Sequence, residues 1–226
     1  MTMDNMGDVR SSKVDEADAS RSNLPEQPPP PYQQSSALIG QSTDSNNRYR
    51  LYVDYKWKKL QNVLRESSDT TTEPLYVIKY NFIRSPNMVF SIQPEDRIIG
   101  TSTLKPTKLP ERCILNDKPL DLTRIGAGLA SKFEYSSQIL TNASGGSMKM
   151  TWISASAWAE RELHCLDEQS NGVARFLVDT WNFKRAGVIE FLNRSSVSDA
   201  LRDEIVVTAM TLACQAAPGS SPVVIV

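Results

Sequence analysis

SVSDALRDEIVVTAMTLACQAA, residues 196–217, is the stretch whose reading decides the fold. A charged turn, Arg202-Asp203-Glu204, precedes a run from Ile205 to Cys214 in which only Thr208 and Thr211 are polar. Threonine hydroxyls in a helix can bond back to the preceding turn. A helix that is apolar on every side is buried on every side. Ser196, three residues ahead of Asp199, reads as a capping pair: a hydroxyl for an orphan amide and a carboxylate in the favourable field of the helix start. A bilayer crossing needs about 20 apolar residues. This run is broken by Gln215 and then by Pro218-Gly219, so a core helix is expected in place of a membrane anchor.

Upstream of that helix the pattern is strand-like. Tyr49, Leu51, Val53 and Tyr55 alternate with polar partners, as do Leu75, Val77 and the residues through Phe82. Further strands are expected at 88–92, 97–104, 112–115, 132–140, 148–154, 160–166, 174–179 and 187–192. Turn formers separate them, among them Ser85-Pro86-Asn87, Asn116-Asp117-Lys118-Pro119, Asn142 to Ser147 and Asn171-Gly172. Many short strands at regular spacing indicate a sandwich or barrel, and a buried helix after them must plug it.

Residues 1–47 differ in kind. They hold three basic residues against seven acidic ones and are rich in Ser, Asp, Asn, Gln and Pro. Such a segment buries too little apolar surface to offset its ordering entropy. The expected organisation is a disordered arm (1–47), one β-rich domain (48–217) and a short tail (218–226). The whole chain carries a formal charge of −1, which gives no indication of nucleic-acid binding. The first residues lack the apolar core of a signal peptide and are too acidic for a transit peptide, so a protein of the cytoplasm or of the cytoplasmic face of a membrane is expected. Cys113, Cys165 and Cys214 are widely spaced and odd in number, as reduced thiols would be. Asn142-Ala143-Ser144 and Asn193-Arg194-Ser195 match the glycosylation sequon but read as chance matches in that setting.

The strand series, a late hairpin at Trp181–Gly187, the strand Val188-Ile189-Glu190-Phe191 and then Asp203-Glu204-Ile205-Val206-Val207-Thr208-Ala209-Met210 resemble the C-terminal part of the tubby-like superfamily. The superfamily includes fungal tubby-like, plant LURP-one-related and phospholipid scramblase branches. The resemblance spans residues 48–217 as pattern, and its motif-like part lies at the end. It implies a closed antiparallel barrel of about twelve strands around a central hydrophobic helix. It implies no single function, because the superfamily mixes phosphoinositide binders, membrane-associated proteins and others.

The arm carries the sharpest motif. Pro29-Pro30-Pro31-Tyr32 is a PPxY sequence; consecutive prolines preset a polyproline II helix and reduce the entropy lost on docking into an aromatic groove. This is the ligand type of WW domains, including those of HECT-type ubiquitin ligases. A second candidate is Lys56-Trp57-Lys58-Lys59, with Lys184 and Arg185 joining if the fold brings them together. Each such cation adds about 1 kcal/mol near an anionic leaflet. The plainer reading is a solvated strand end.

Catalytic and metal chemistry have little to stand on. The single histidine, His164, neighbours Cys165 in an expected strand, where adjacent side chains take opposite faces. No CxxC or HExxH spacing occurs. Gly126-Ala127-Gly128 lacks a Walker lysine and the dinucleotide spacing. No cofactor is expected. The function expected is therefore a non-enzymatic interaction or adaptor protein, binding a WW-domain protein through its arm and a phosphoinositide or protein partner through its domain. The alternative is a scramblase-like membrane protein using the apolar helix.

Overall fold

In the computed structural model, described here for residues 48–81, 83–105, 108–125, 132–154, 162–179 and 185–216, the alternation becomes thirteen strands and one long helix. The strands are β1 (Tyr49–Lys56), β2 (Gln61–Arg65), β3 (Tyr76–Tyr80), β4 (Met88–Ile92), β5 (Arg97–Lys105), β6 (Lys108–Leu115), β7 (Lys118–Pro119), β8 (Thr123–Ile125), β9 (Lys132–Thr141), β10 (Ser147–Ser154), β11 (Glu162–Leu166), β12 (Gly172–Val178) and β13 (Arg185–Phe191), followed by α1 (Asp199–Ala216). All belong to one sheet, ordered β7-β6-β5-β4-β3-β2-β1-β13-β12-β11-β10-β9-β8. Every pairing is antiparallel; consecutive strands pair except β7 with β8, and β1 pairs with β13. Strands therefore run up and down by turns, with β7 and β8 rising together, and the other connections fall at one of two ends.

The sheet is not closed into a barrel, which corrects the expected closed barrel of about twelve strands. Its ladder ends at β7 and β8, two pieces of one rising segment. β7 pairs with β6 through Ile114↔Pro119 and Leu115↔Lys118, whereas β8 has crossed to β9, with Thr123↔Glu134 and Ile125↔Lys132. Pro119 has no amide hydrogen to offer a ladder. The side-chain amide of Gln138 on β9 spans the lower gap instead, donating to the carbonyls of Lys118 (3.4 Å) and Pro119 (3.0 Å).

α1 fills the interior. Leu201 and every residue from Asp203 to Cys214 are buried, so the all-round apolar reading holds. Contacts come from far-separated strands. Trp152 on β10 donates to Thr208 at 3.1 Å, and Tyr76 on β3 donates to Asp203 at 2.5 Å. A Cβ on Gly100 of β5 would sit 3.1 Å from Val207 Cγ2 and 2.7 Å from the Ile114 carbonyl, so only glycine lets the strand approach this closely. The cap is corrected by two residues: Ser198 Oγ accepts from Leu201 N at 3.2 Å, while Ser196 closes a short 3-10 turn, Arg194–Ser196. Asp199 remains in the first turn and pairs with Arg202 at 3.0 Å.

Glu204, fully buried, holds β9 in shape. The β9–β10 register slips between Ser147↔Thr141 and Lys149↔Ser136, leaving several amides of β9 without ladder partners. Glu204 Oε2 accepts from Gln138 N at 2.8 Å, and Ser137 Oγ accepts from Ile139 N and Leu140 N at 3.1 and 2.9 Å. Burial pushes the Glu204 carboxyl above its ordinary range, against the opposing pull of the Gln138 amide and the Ser137 and Tyr135 hydroxyls. A folded pKa raised above the unfolded one gives a contribution that is full below the unfolded value and lost as pH rises through the folded value. Glu204→Gln, which keeps an acceptor for Gln138, is therefore expected to melt higher than wild type at pH 7 to 8. The two should converge below about pH 4, where a free glutamate is itself protonated. Thermal melts across that range check this, and a pH-independent difference would contradict it.

Candidate functional site

Among the described connections the two ends of the sheet differ in charge. At one end Lys56 closes β1, the β1–β2 connection brings Lys58, Lys59 and Leu60, and the β3–β4 connection, residues 81–87, brings Ile83 and Arg84; neither connection contains a carboxylate, and Asp179 after β12 is the acidic residue described at this end. The two connections adjoin, since Tyr80 N donates to the Leu60 carbonyl at 3.1 Å. Trp57–Lys59 forms a 3-10 turn, Lys58, Lys59 and Arg84 are exposed, and Ile83 stands 94% and Leu60 39% accessible. Asn81 Oδ1 accepts from Ile83 N and Arg84 N at 3.2 and 3.0 Å, which fixes the backbone that presents these two side chains. At the other end, the described connections carry Glu66, Asp69, Glu73, Glu95, Asp96, Asp117, Asp167 and Glu168 against Arg194.

Arg185 does join β1 at the basic end, opposite Asp54 in the ladder. Its guanidinium donates to Asp54 at 3.3 Å and to the Ser68 carbonyl at 2.9 Å and lies 5.0 Å from the Tyr52 ring centre. Arg65, on β2, donates to the same Asp54 at 2.9 Å and to the Thr72 carbonyl at 2.7 Å. Asp54 thus orients two guanidiniums that together hold the β2–β3 connection. Among the sequence candidates, Lys58 and Lys59 share the exposed turn, Lys56 closes β1 beside it half-buried, and Arg185 is held at Asp54, Ser68 and Tyr52. Lys184, the Trp57 side chain and Pro29, Pro30, Pro31 and Tyr32 lie outside the described residues.

A second charged group escaped the sequence reading. Arg50, Glu190, Arg175 and His164 are successive cross-strand neighbours over β1, β13, β12 and β11. Buried Glu190 accepts from Arg48 (3.1 Å), Arg50 (2.7 Å) and Arg175 (2.5 Å). Burial alone would raise its carboxyl; Arg50 and Arg175 outweigh that and hold it below the ordinary range. His164 Nε2 lies 3.1 Å from Glu162, and burial lowers the imidazole against the opposing charge of Glu162. Cys165 belongs to the core, so His164 and Cys165 take opposite faces, as the strand reading requires. Burial pushes all three thiols up, which makes them poor nucleophiles. Among the described residues, no cluster of His, Cys, Asp and Glu is suited to hold a metal ion.

The geometry therefore offers a candidate binding surface at the β1–β2 and β3–β4 connections: exposed cations, two accessible aliphatic side chains and turns fixed by their own hydrogen bonds. Comparison with known proteins finds no match to this chain among family models, curated proteins or solved structures.

Proposed function

We propose that this chain is a non-enzymatic adaptor. Its β-domain docks by the β1–β2 and β3–β4 connections on an anionic phospholipid surface, phosphoinositides included, at the cytoplasmic face of a membrane. Its arm recruits a WW-domain protein, a HECT-type ubiquitin ligase among the candidates, through Pro29-Pro30-Pro31-Tyr32. The observation that carries the reading is the pair of adjoining connections that present Lys58, Lys59 and Arg84 without a carboxylate, with Ile83 projecting beside them. Lys56, Lys58, Lys59 and Arg84 together contribute about 4 kcal/mol near an anionic leaflet. Sinking one isoleucine adds about 2 kcal/mol. Together these correspond to a Kd on the order of tens of micromolar, salt-sensitive and reversible. The resemblance to tubby-like proteins accords with this reading, since that superfamily includes phosphoinositide binders.

Insertion of Ile205–Cys214 into a bilayer, the scramblase-like alternative, would require the sheet to release α1 and expose its buried polar groups. No helix among the described residues is long and apolar enough to cross a membrane.

The test is co-sedimentation of the full chain with neutral phosphatidylcholine vesicles and with vesicles containing phosphoinositide. Wild type should pellet with the second only, and less at high salt. Lys58→Glu with Lys59→Glu should lower the bound fraction at least tenfold with an unchanged melt; unaltered binding would remove the docking face. Tyr32→Ala should abolish capture by an isolated WW domain and leave vesicle binding intact, and persistent capture would remove the arm's role.

A further inference from the structure

The arginines around Glu190 carry an inference independent of the proposed function. Ile189 and Phe191 belong to the core, so Glu190 takes the outer face of the sheet, with Arg50 and Arg175 as its cross-strand neighbours on β1 and β12. A side chain on that face is ordinarily wet, yet Glu190 is 1% accessible. Arg50 and Arg175 both donate to it from Nε, at 2.7 and 2.5 Å, and Arg48 donates from Nη1 at 3.1 Å. A guanidinium has five N–H donors on a planar fork, and a bond from Nε leaves those of the Nη nitrogens to other acceptors. Arg175 gives Nη1 to Glu162 at 3.4 Å, and Tyr52 is a further polar neighbour of Arg50. The Arg50 side chain is nonetheless 45% accessible and that of Arg175 27%. Three cations here face two carboxylates, Glu190 and Glu162, and Glu162 is shared with His164, whose imidazole burial holds below its ordinary range. A positive charge is left over where the donors are already fixed.

We propose that Arg50 and Arg175, with Arg48 beside them, form a binding site for the phosphate group of a soluble ligand on the outer face of the sheet above Glu190. The donors come from separate side chains on separate strands. Such a set matches the several oxygens of a tetrahedral phosphate, whereas a planar carboxylate is satisfied by a single fork. Glu190 fixes the guanidiniums before the ligand arrives, which lowers the ordering cost of binding. Its own charge repels an anion, and the three guanidiniums outweigh it. Arg50 stands about 20 Å along β1 from Lys56, beyond the headgroups of a leaflet resting on the β1–β2 connection, so the phosphate is that of a soluble molecule and not of a lipid.

Nitrogen-15 NMR of the arginine Nε–H groups in the full chain tests this, with inorganic phosphate added at neutral pH up to about 50 mM and sodium chloride at matched ionic strength as the control. The Arg50 and Arg175 signals should shift saturably with phosphate and not with chloride. Arg50→Gln, which leaves Glu190 paired with Arg48 and Arg175, should weaken the response of Arg175 at least tenfold. Lys79→Gln, which removes an exposed cation from β3, should leave it unchanged. The absence of a saturable shift would overturn the proposal, and so would an equal loss in Lys79→Gln, which would reduce the effect to net charge. Phosphoinositide-containing vesicles should not displace the bound phosphate; displacement would overturn the assignment to a soluble ligand. The wild-type titration is decisive even if Arg50→Gln fails to fold.

Discussion

Val207→Asp is expected to abolish the folded domain. Val207 is fully buried at the middle of α1, and its methyls lie against the backbone of Gly100, a position already too close for a Cβ. The carboxylate would have neither water nor a cation, and an unpaired buried charge costs several kcal/mol even after its pKa shifts. Ordinary domains are stable by only about 5–15 kcal/mol, and the lost packing of the valine adds to the cost. Circular dichroism should show no cooperative melt, with rapid proteolysis across the strands. A variant that melts like wild type would mean that α1 is not enclosed by the sheet.

Asp54→Ala is the second large effect. Asp54 is 4% accessible and joins Arg65, itself buried, and Arg185. Removing one side of a buried ion pair costs about 3–5 kcal/mol, because the partner charge remains desolvated. Here two guanidiniums lose their anion, and both also position the β2–β3 connection through Thr72 and Ser68. At about 2–4 °C per kcal/mol for a domain of this size, the melt should fall by roughly 10 °C. Proteolysis should begin within residues 66–75. Asp54→Ala with Arg65→Met should recover part of the loss, since it removes one stranded charge. A shift of less than about 2 °C would contradict this role for Asp54.

The helix was legible because its signal is local: a ten-residue run with two threonines needs no knowledge of the rest of the chain. Its start was displaced because Ser196 and Ser198 are both able to cap, and the 3-10 turn that distinguishes them depends on Asn193 accepting from Ser195 N at 3.2 Å. The two sequon-like triplets have a conformational explanation. Asn142 and Asn193 each accept from the backbone and hydroxyl of the serine two residues on, an Asx turn in which Asn-x-Ser is a natural pattern. β2 was missed because Gln61-Asn62-Val63-Leu64-Arg65 does not alternate. Asn62 and Arg65 are buried by bonds to Tyr80 and Asp54, which lie elsewhere in the chain. β7 and β8 are too short to leave a period.

The candidate site was legible in the same measure. Lys56-Trp57-Lys58-Lys59 is a contiguous signal, but Ile83 and Arg84 reach it only through the pairing of β2 with β3. The Glu190 group depends on β1 meeting β13, a register between residues about 140 positions apart that no local pattern encodes.

Hydrogen exchange of the full chain with and without phosphoinositide-containing vesicles addresses the proposed docking face most directly. The account predicts protection confined to residues 56–60 and 81–87, absent with neutral vesicles and reduced by salt. Protection at residues 93–96 or 167–171, at the acidic end, or protection of neither end in the presence of anionic lipid, would contradict it.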